Sequence, residues 1–180
     1  MEQITDFFQD KRVKTVLDVG TGSGDFLVTL KQAFPGASFA GVDPDSISLK
    51  QAEELHPDVI FREMVAEKLE FADNSFDAIS ISMALHHLPE IEKSLSEMQR
   101  VVKSGGWIIV SELFSDNLNP AQEVHKIFHH FRSKTHRILG VSHNETFKKK
   151  EIIEMIENSG INIQLQFEFI SGVNLSWNTA

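Results

Sequence analysis

Cysteine is absent from the 180 residues. That excludes a disulfide framework, a thiolate nucleophile and any zinc or iron–sulfur site ligated by cysteine. No apolar run approaches the roughly 20 residues needed to span a bilayer. Basic charge is in deficit, with 17 Lys and Arg against 26 Asp and Glu and a net charge of -9. General nucleic-acid binding sets clustered cations against phosphate, so this balance argues against a nucleic-acid partner. The start, MEQITDFFQDK, is polar and mixed in charge, unlike a signal peptide, and a cytoplasmic setting is expected. Repeats and low-complexity tracts are also lacking. What is present is a 41% hydrophobic composition, enough for one core and short for two, so a single domain over 1–180 is expected.

Strand-like and helix-like segments alternate. KTVLDV (14–19), ASFAGVD (37–43), DVIFRE (58–63), FDAISIS (76–82) and WIIVSEL (107–113) are short, apolar and rich in β-branched residues. Between them, DFLVTLKQAF (25–34) places Phe26, Leu27, Leu30, Ala33 and Phe34 on one helical face and stops at Pro35-Gly36. SISLKQAEEL follows Asp45 or Ser46 as cap, and PEIEKSLSEMQRVV (89–102) carries Pro at its first turn. This alternation predicts an α/β fold with a doubly wound, mostly parallel sheet. Beyond residue 113 the alternation breaks. A helix is predicted over 120–139, then the polar linker GVSHNE, a helix over 146–160 capped by Thr146, a strand over 161–170 and a short strand over 173–177. Residues 114–145 are too few for a core of their own and are expected to form a helical lid across the strand ends.

The chemistry starts at VLDVGTGSGDF (16–26), a glycine-rich turn behind the first strand. The dinucleotide pattern G-x-G-x-x-G fails, because Asp25 or Leu27 stands where the third glycine belongs, and G-x-x-x-x-G-K-[ST] is absent. Asp18 and Asp25 flank the turn and would repel a pyrophosphate. They suit a ligand with cationic groups, which the glycines let approach without a Cβ clash.

In order along the chain, DVGTGSG, GVDPD (41–45), VAEKLEFADNSFD (65–77), LHHL (85–88) and RVVKSGGWIIVSE (100–112) resemble the motifs of class I S-adenosylmethionine-dependent methyltransferases, small-molecule branch. The resemblance covers roughly 14–113 and the closing elements, and implies a seven-stranded Rossmann-like sheet. It implies S-adenosylmethionine as cofactor, S-adenosylhomocysteine as product, and in-line displacement at the sulfonium methyl by a small-molecule acceptor. It places the cofactor along Asp18, Gly20, Thr21, Gly22 and Gly24, with Asp43 on the ribose hydroxyls beside Pro44, Ala66 and Glu67 near the adenine, and Met83 at the end of strand four. Val65 departs from the acid many members carry there, so adenine recognition rests on backbone groups or Glu67. Ser104 replaces a common proline. The stretch before strand one is short, leaving room for a partner subunit or a more open site, and a homodimer is admitted.

His86 and His87 are candidates for a general base, needed only if the acceptor must first lose a proton; otherwise one packs and the other is solvated. In EVHKIFHHFRSKTHR (123–137), Val124, Ile127, Phe128, Phe131 and Ile138 form an apolar face expected to pack on the body. His125, His129, Arg132 and His136 form a second stripe. That stripe admits a solvated face, contact of His125, His129 and Arg132 with a polar or anionic acceptor, or a metal held by His125 and His129 with His136 or His143. No carboxylate shares the stripe, and no metal is assigned. The cations from Lys126 to Lys150 favour an acidic acceptor. Two rival functions remain: a non-catalytic cofactor-binding subunit, and a protein or RNA methyltransferase. The second is disfavoured by SMALHHLPE at strand four, where an Asn/Asp-Pro-Pro-aromatic tetrad would stand.

Overall fold

The structure is a computed structural model that describes residues 2–169. Its centre is a five-stranded, all-parallel sheet of β1 (Thr15–Val19), β2 (Ser38–Asp43), β3 (Ile60–Glu63), β4 (Phe76–Ser82) and β5 (Val102–Ser111), in the order β3-β2-β1-β4-β5. The order reverses beside β1, where β2 and β4 flank it with Leu17 opposite both Ala40 and Ile79. Strand alternation sends Leu17 and Val19 to one face and Val16 to the other, and all three are fully buried. On the first face α4 (Ile91–Val101) seats Leu95, Met98 and Val101, and α6 (Lys149–Asn158) adds Ile152 and Met155. On the second, α2 (Asp25–Ala33) seats Leu27 and Leu30, and a helix not foreseen in the sequence, α1 (Glu2–Phe8), adds Ile4 and Phe8. Phe7, Phe8, Phe34 and Trp107 meet there edge to face. Each fully buried side chain of this size contributes about 1.5–3 kcal/mol.

Two polar clasps fix the frame. At the amino ends of the strands, Asp77 accepts from the Lys14 and Thr15 N–H groups, both at 2.9 Å, and from Lys103 Nζ at 2.7 Å. These contacts hold its carboxyl down to about 2. Between β3 and β4, Arg100 donates to Glu97, Asp73 and the Leu69 and Phe71 carbonyls, while Glu97 accepts the Leu69 N–H. That clasp sets the loop holding Ala66 and Glu67.

Several expectations are corrected. Residues 161–169 join no ladder, so the described residues hold five strands rather than seven; the strand expected over 173–177 lies outside them. A strand exists only against a neighbour, and among the described residues β5 has none beyond it. α3 (Ser46–Leu55) is capped by Asp45, which accepts from the Ile47 and Ser48 N–H groups. Pro89 precedes α4 rather than opening it. α6 is capped at Lys148, and Thr146 instead meets His130 Nε2 at 2.7 Å.

The largest correction concerns α5 (Pro120–Ile138), which opens on an Asn119–Gln122 capping box with Pro120 at its first position. The apolar stripe expected to pack on the body faces away from it. Ile127 is 63%, Phe128 70%, Phe131 72% and Ile138 79% exposed. The inward side carries His129, Ser133 and His136, of which Ser133 is fully buried. The helix covers polar groups at the strand ends, and hydrogen-bonding partners outweigh apolar burial on that side. Among the described residues no helix is long and apolar enough to cross a membrane.

Candidate active site

At the carboxyl end of β1 the chain turns sharply. Gly20, Gly22 and Gly24 all have positive φ (67°, 53° and 86°), a region side chains avoid. The Gly20 and Thr21 N–H groups donate to the Val42 carbonyl at 2.8 and 3.0 Å, tying the turn to β2. A Cβ on Gly20 would lie 2.6 Å from Ala84 Cβ, so packing forbids it, whereas a Cβ on Gly22 would meet nothing within 4 Å. Gly20 is therefore a structural glycine, and the open side of the turn is at Gly22.

Asp18 acts beneath this turn. It is 1% exposed and accepts from Thr21 Oγ1 at 2.8 Å and Ser80 Oγ at 2.6 Å. Burial pushes its carboxyl up to about 6 against those two hydrogen bonds. It orients the turn and is walled off from any ligand. Asp43 is the accessible acid. Its Oδ2 accepts the Gly22 N–H at 2.9 Å and its Oδ1 the Asp45 N–H at 2.8 Å. Each oxygen keeps a free lone pair, so the group that braces the turn can also receive a diol. Pro44 beside it is exposed and Thr21 is buried. Across the groove Ala66 is buried, and Glu67 Oε1 is a buried oxygen with no hydrogen-bond partner. A buried acceptor without a partner costs about 1–3 kcal/mol, which a ligand donor would recover. Met83, just past β4, holds φ 55°, a conformation uncommon for a side-chain-bearing residue. Asp18, Gly20, Thr21, Gly22, Gly24, Asp43, Ala66, Glu67 and Met83 thus gather past the carboxyl ends of β1, β2, β3 and β4, where open parallel sheets bind ligands. A depression lined by Thr15, Ser38, Phe39 and Phe76 lies at the opposite ends of the strands.

The histidines assemble differently from the helical-wheel expectation. His86 and His87 sit in a short 3₁₀ turn, Leu85–His87, after β4. His86 is 3% exposed, and its Nδ1 lies 2.9 Å from Oε1 of Glu112, whose own side chain is 1% exposed. His129 from α5 and His143 from the following loop pack onto it, and His87 stacks on both His86 and His143. Burial holds His87 and His129 down to about 4 and His143 to about 3, helped by their mutual proximity, so all three are neutral near pH 7. His125 and Arg132, grouped with His129 in the sequence, are exposed and outside the cluster. Glu112, His136 and His143 were not singled out together. A carboxylate closing the β5 motif and a histidine in a polar linker were the available signals.

The methyltransferase-domain family pattern matches residues 17–110. The demethylmenaquinone methyltransferase of Thermus thermophilus is 36% identical over 111 residues, 59% of this chain and 50% of that protein. The chain spans about half the length of the curated relatives it matches. Among solved structures, a SAM-dependent methyltransferase from Aquifex aeolicus superposes with a TM-score of 0.67 at 23% identity, covering 91% of this chain and 80% of that one. The [4+2]-cyclase SpnF superposes with a TM-score of 0.65 at 18% identity, covering 88% of this chain and 54% of that one. The fold by itself therefore does not choose the reaction.

Proposed function

The chain belongs to the class I S-adenosylmethionine-dependent methyltransferase family, and from that premise we propose that it transfers the sulfonium methyl of S-adenosylmethionine to a small ring-hydroxyl acceptor of the quinol type. The observation that carries the cofactor reading is the pairing of a braced, accessible carboxylate at Asp43 with the partnerless buried Glu67 Oε1, on either side of a glycine turn open at Gly22. Asp43 receives the ribose hydroxyls, the Ala66–Glu67 strip receives the adenine, and Gly22 gives the backbone its close approach. Asp18 positions the turn through Thr21. The demethylmenaquinone methyltransferase relatives favour a quinone-type ring, whose reduced, hydroxyl-bearing form is the electron-rich one that attacks a methyl cation equivalent.

Transfer is an in-line displacement. A ring-carbon electron pair of the deprotonated acceptor forms the new bond to the methyl carbon, the carbon–sulfur pair returns to sulfur, S-adenosylhomocysteine departs, and the hydrogen on that ring carbon then leaves as a proton as the quinol re-forms. Alignment of the acceptor at about 3 Å supplies much of the rate. The hydroxyl proton passes to His87, which is neutral near pH 7, and His86, held by Glu112, packs its ring 4.3 Å from that of His87 and positions it. Residues 114–145 act as the lid, and Arg132 and Lys134 on α5 favour an acceptor that develops negative charge as a phenolate.

Ligand-induced melting shifts test the site. S-adenosylmethionine and S-adenosylhomocysteine stabilise the protein, by about 2.7 kcal/mol at a hundredfold excess over Kd, and NAD does not. Asp43→Ala and Glu67→Ala each shrink the shift. Asp43→Ala also lowers the unliganded melting temperature, because two backbone N–H groups lose their acceptor, so the shift itself is the readout. A shift with NAD alone, or an undiminished shift in both variants, refutes the assignment. Release of S-adenosylhomocysteine with reduced quinones tests the acceptor, and His87→Ala lowers kcat on the order of 100-fold if it takes the proton.

A further inference from the structure

We propose that His86, His129 and His143 form a binding site for a divalent first-row transition metal, zinc foremost. The sequence admits a metal at His125 and His129 with His136 or His143 and assigns none, and the pair His125 with His129 is not the one the fold assembles. Instead the 3₁₀ turn after β4, the inward side of α5 and the loop after α5 contribute one imidazole each, with candidate ligand atoms all within 4.8 Å of one another. His129 Nε2 lies 3.2 Å from His86 Nε2 and 3.2 Å from His143 Nε2. Tetrahedral zinc with bonds of about 2.0–2.1 Å to nitrogen separates its ligand atoms by about 3.3 Å, so both contacts stand at the edge length of such a site.

The far nitrogen of His86 fixes its near one, and that of His143 has an imidazole partner to donate to. His86 Nδ1 faces Glu112 Oε1 at 2.9 Å, where only a donated N–H is favourable, which leaves its Nε2 as a lone pair. With His143 Nδ1 donating to His136 Nδ1 at 3.0 Å, its Nε2 is a lone pair as well. Two lone pairs then converge on His129 Nε2, which carries at most one hydrogen, while His129 Nδ1 is buried without a partner. A single N–H points at one of them and leaves the other facing it unsatisfied. A cation at the convergence point satisfies all three. Outer carboxylate or imidazole acceptors behind ligating histidines are the recurring means of orienting them. An all-nitrogen set favours zinc and its neighbours over magnesium or calcium. Three protein ligands leave a fourth position, the count of zinc sites that take a water or substrate atom rather than closed structural ones.

The test needs neither cofactor nor acceptor, so its outcome is separable from that of the proposed function. The full chain, stripped with a chelator, is titrated with Zn²⁺ and with Co²⁺, and its melting temperature is followed with Zn²⁺ and Mg²⁺. Expected are one ion per chain, the intense visible bands of four-coordinate cobalt, and stabilisation by zinc but not magnesium. His129→Ala, at a half-buried helix position, weakens zinc binding on the order of 100-fold or more with an unchanged far-ultraviolet spectrum, and exposed His125→Ala does not. His143→Ala is the second ligand variant. Its buried position puts folding at risk, so the wild-type cobalt spectrum and His129→Ala decide. A stripped wild type that takes up no zinc, cobalt bands of six-coordinate type, or His129→Ala binding zinc as tightly as wild type overturns the proposal.

Discussion

Replacing Asp18 by asparagine removes a charge that the fold penalises. The folded carboxyl sits at about 6 against an ordinary 3.8, because burial outweighs the hydroxyls of Ser80 and Thr21. A raised folded value means the native state holds a proton that the unfolded chain has released. Stability from this group is therefore complete below about pH 3.8, declines as pH rises, and is lost by about pH 6. At about 1.4 kcal/mol per pH unit, that interval amounts to about 3 kcal/mol. The side chain is 1% exposed, so salt screens little of it. The asparagine amide would keep both hydroxyl contacts, since Ser and Thr oxygens donate or accept. Urea unfolding of wild type and Asp18→Asn across that range, at low and high salt, measures the difference. The variant should gain on wild type by about 3 kcal/mol from the acid end to neutrality, with other titrations cancelling. A difference that does not change with pH would refute the account of Asp18 as a buried, penalised carboxylate.

Gly20 and Gly22 separate packing from ligand approach. Gly20→Ala drives a Cβ to 2.6 Å from Ala84 at positive φ and should cost about 2–4 kcal/mol in chemical denaturation. Gly22→Ala, in open space at similar φ, should cost only about 1 kcal/mol while weakening S-adenosylhomocysteine in calorimetry. Equal effects on both properties would contradict the division. Asp77→Ala removes the acceptor shared by two backbone N–H groups and Lys103. It should lose about 1–3 kcal/mol while leaving cofactor Kd unchanged, the clasp lying at the far end of the strands. Phe128→Ser with Phe131→Ser should change monomer stability by under about 1 kcal/mol. A loss of several kcal/mol would mean that this face of α5 is covered.

The βα alternation made the sheet legible, since β4 and α3 begin and end where the sequence places them. The glycine turn and the two acids were legible because positive φ and a free carboxylate are properties of single residues. Which role each acid plays was not. The resemblance set Asp43 on the ribose hydroxyls, but that Asp18 faces inward appears only with Thr21, Ser80 and its burial in the fold. On α5 the stripe was legible and its direction was not. Amphipathicity states that two faces differ, while the neighbour decides which one turns in, and here that neighbour is His86 with Glu112 rather than an apolar surface. The cluster around His129 escaped for a related reason: helical spacing joins His129 to His136 on α5, but His86 and His143 come from a turn and a loop that no helical spacing relates to them.

α5 touches the body almost entirely through polar side chains, with Ser133 its one fully buried residue. The chain on either side is pinned by the Phe114–Phe147 bridge and the Ser115 N–H to the Phe147 carbonyl at 2.9 Å. Lifting the helix therefore removes little apolar contact from the sheet. Its amides should therefore belong to a unit that opens on its own, below the free energy of global unfolding, whereas those of β1 and β4 should exchange only when the whole molecule does. Hydrogen exchange of 120–138 should be orders of magnitude faster than that of Val16–Val19. If residues 114–145 act as the proposed lid, a small molecule would enter and leave the strand ends at a rate set by this one helix, with the core undisturbed.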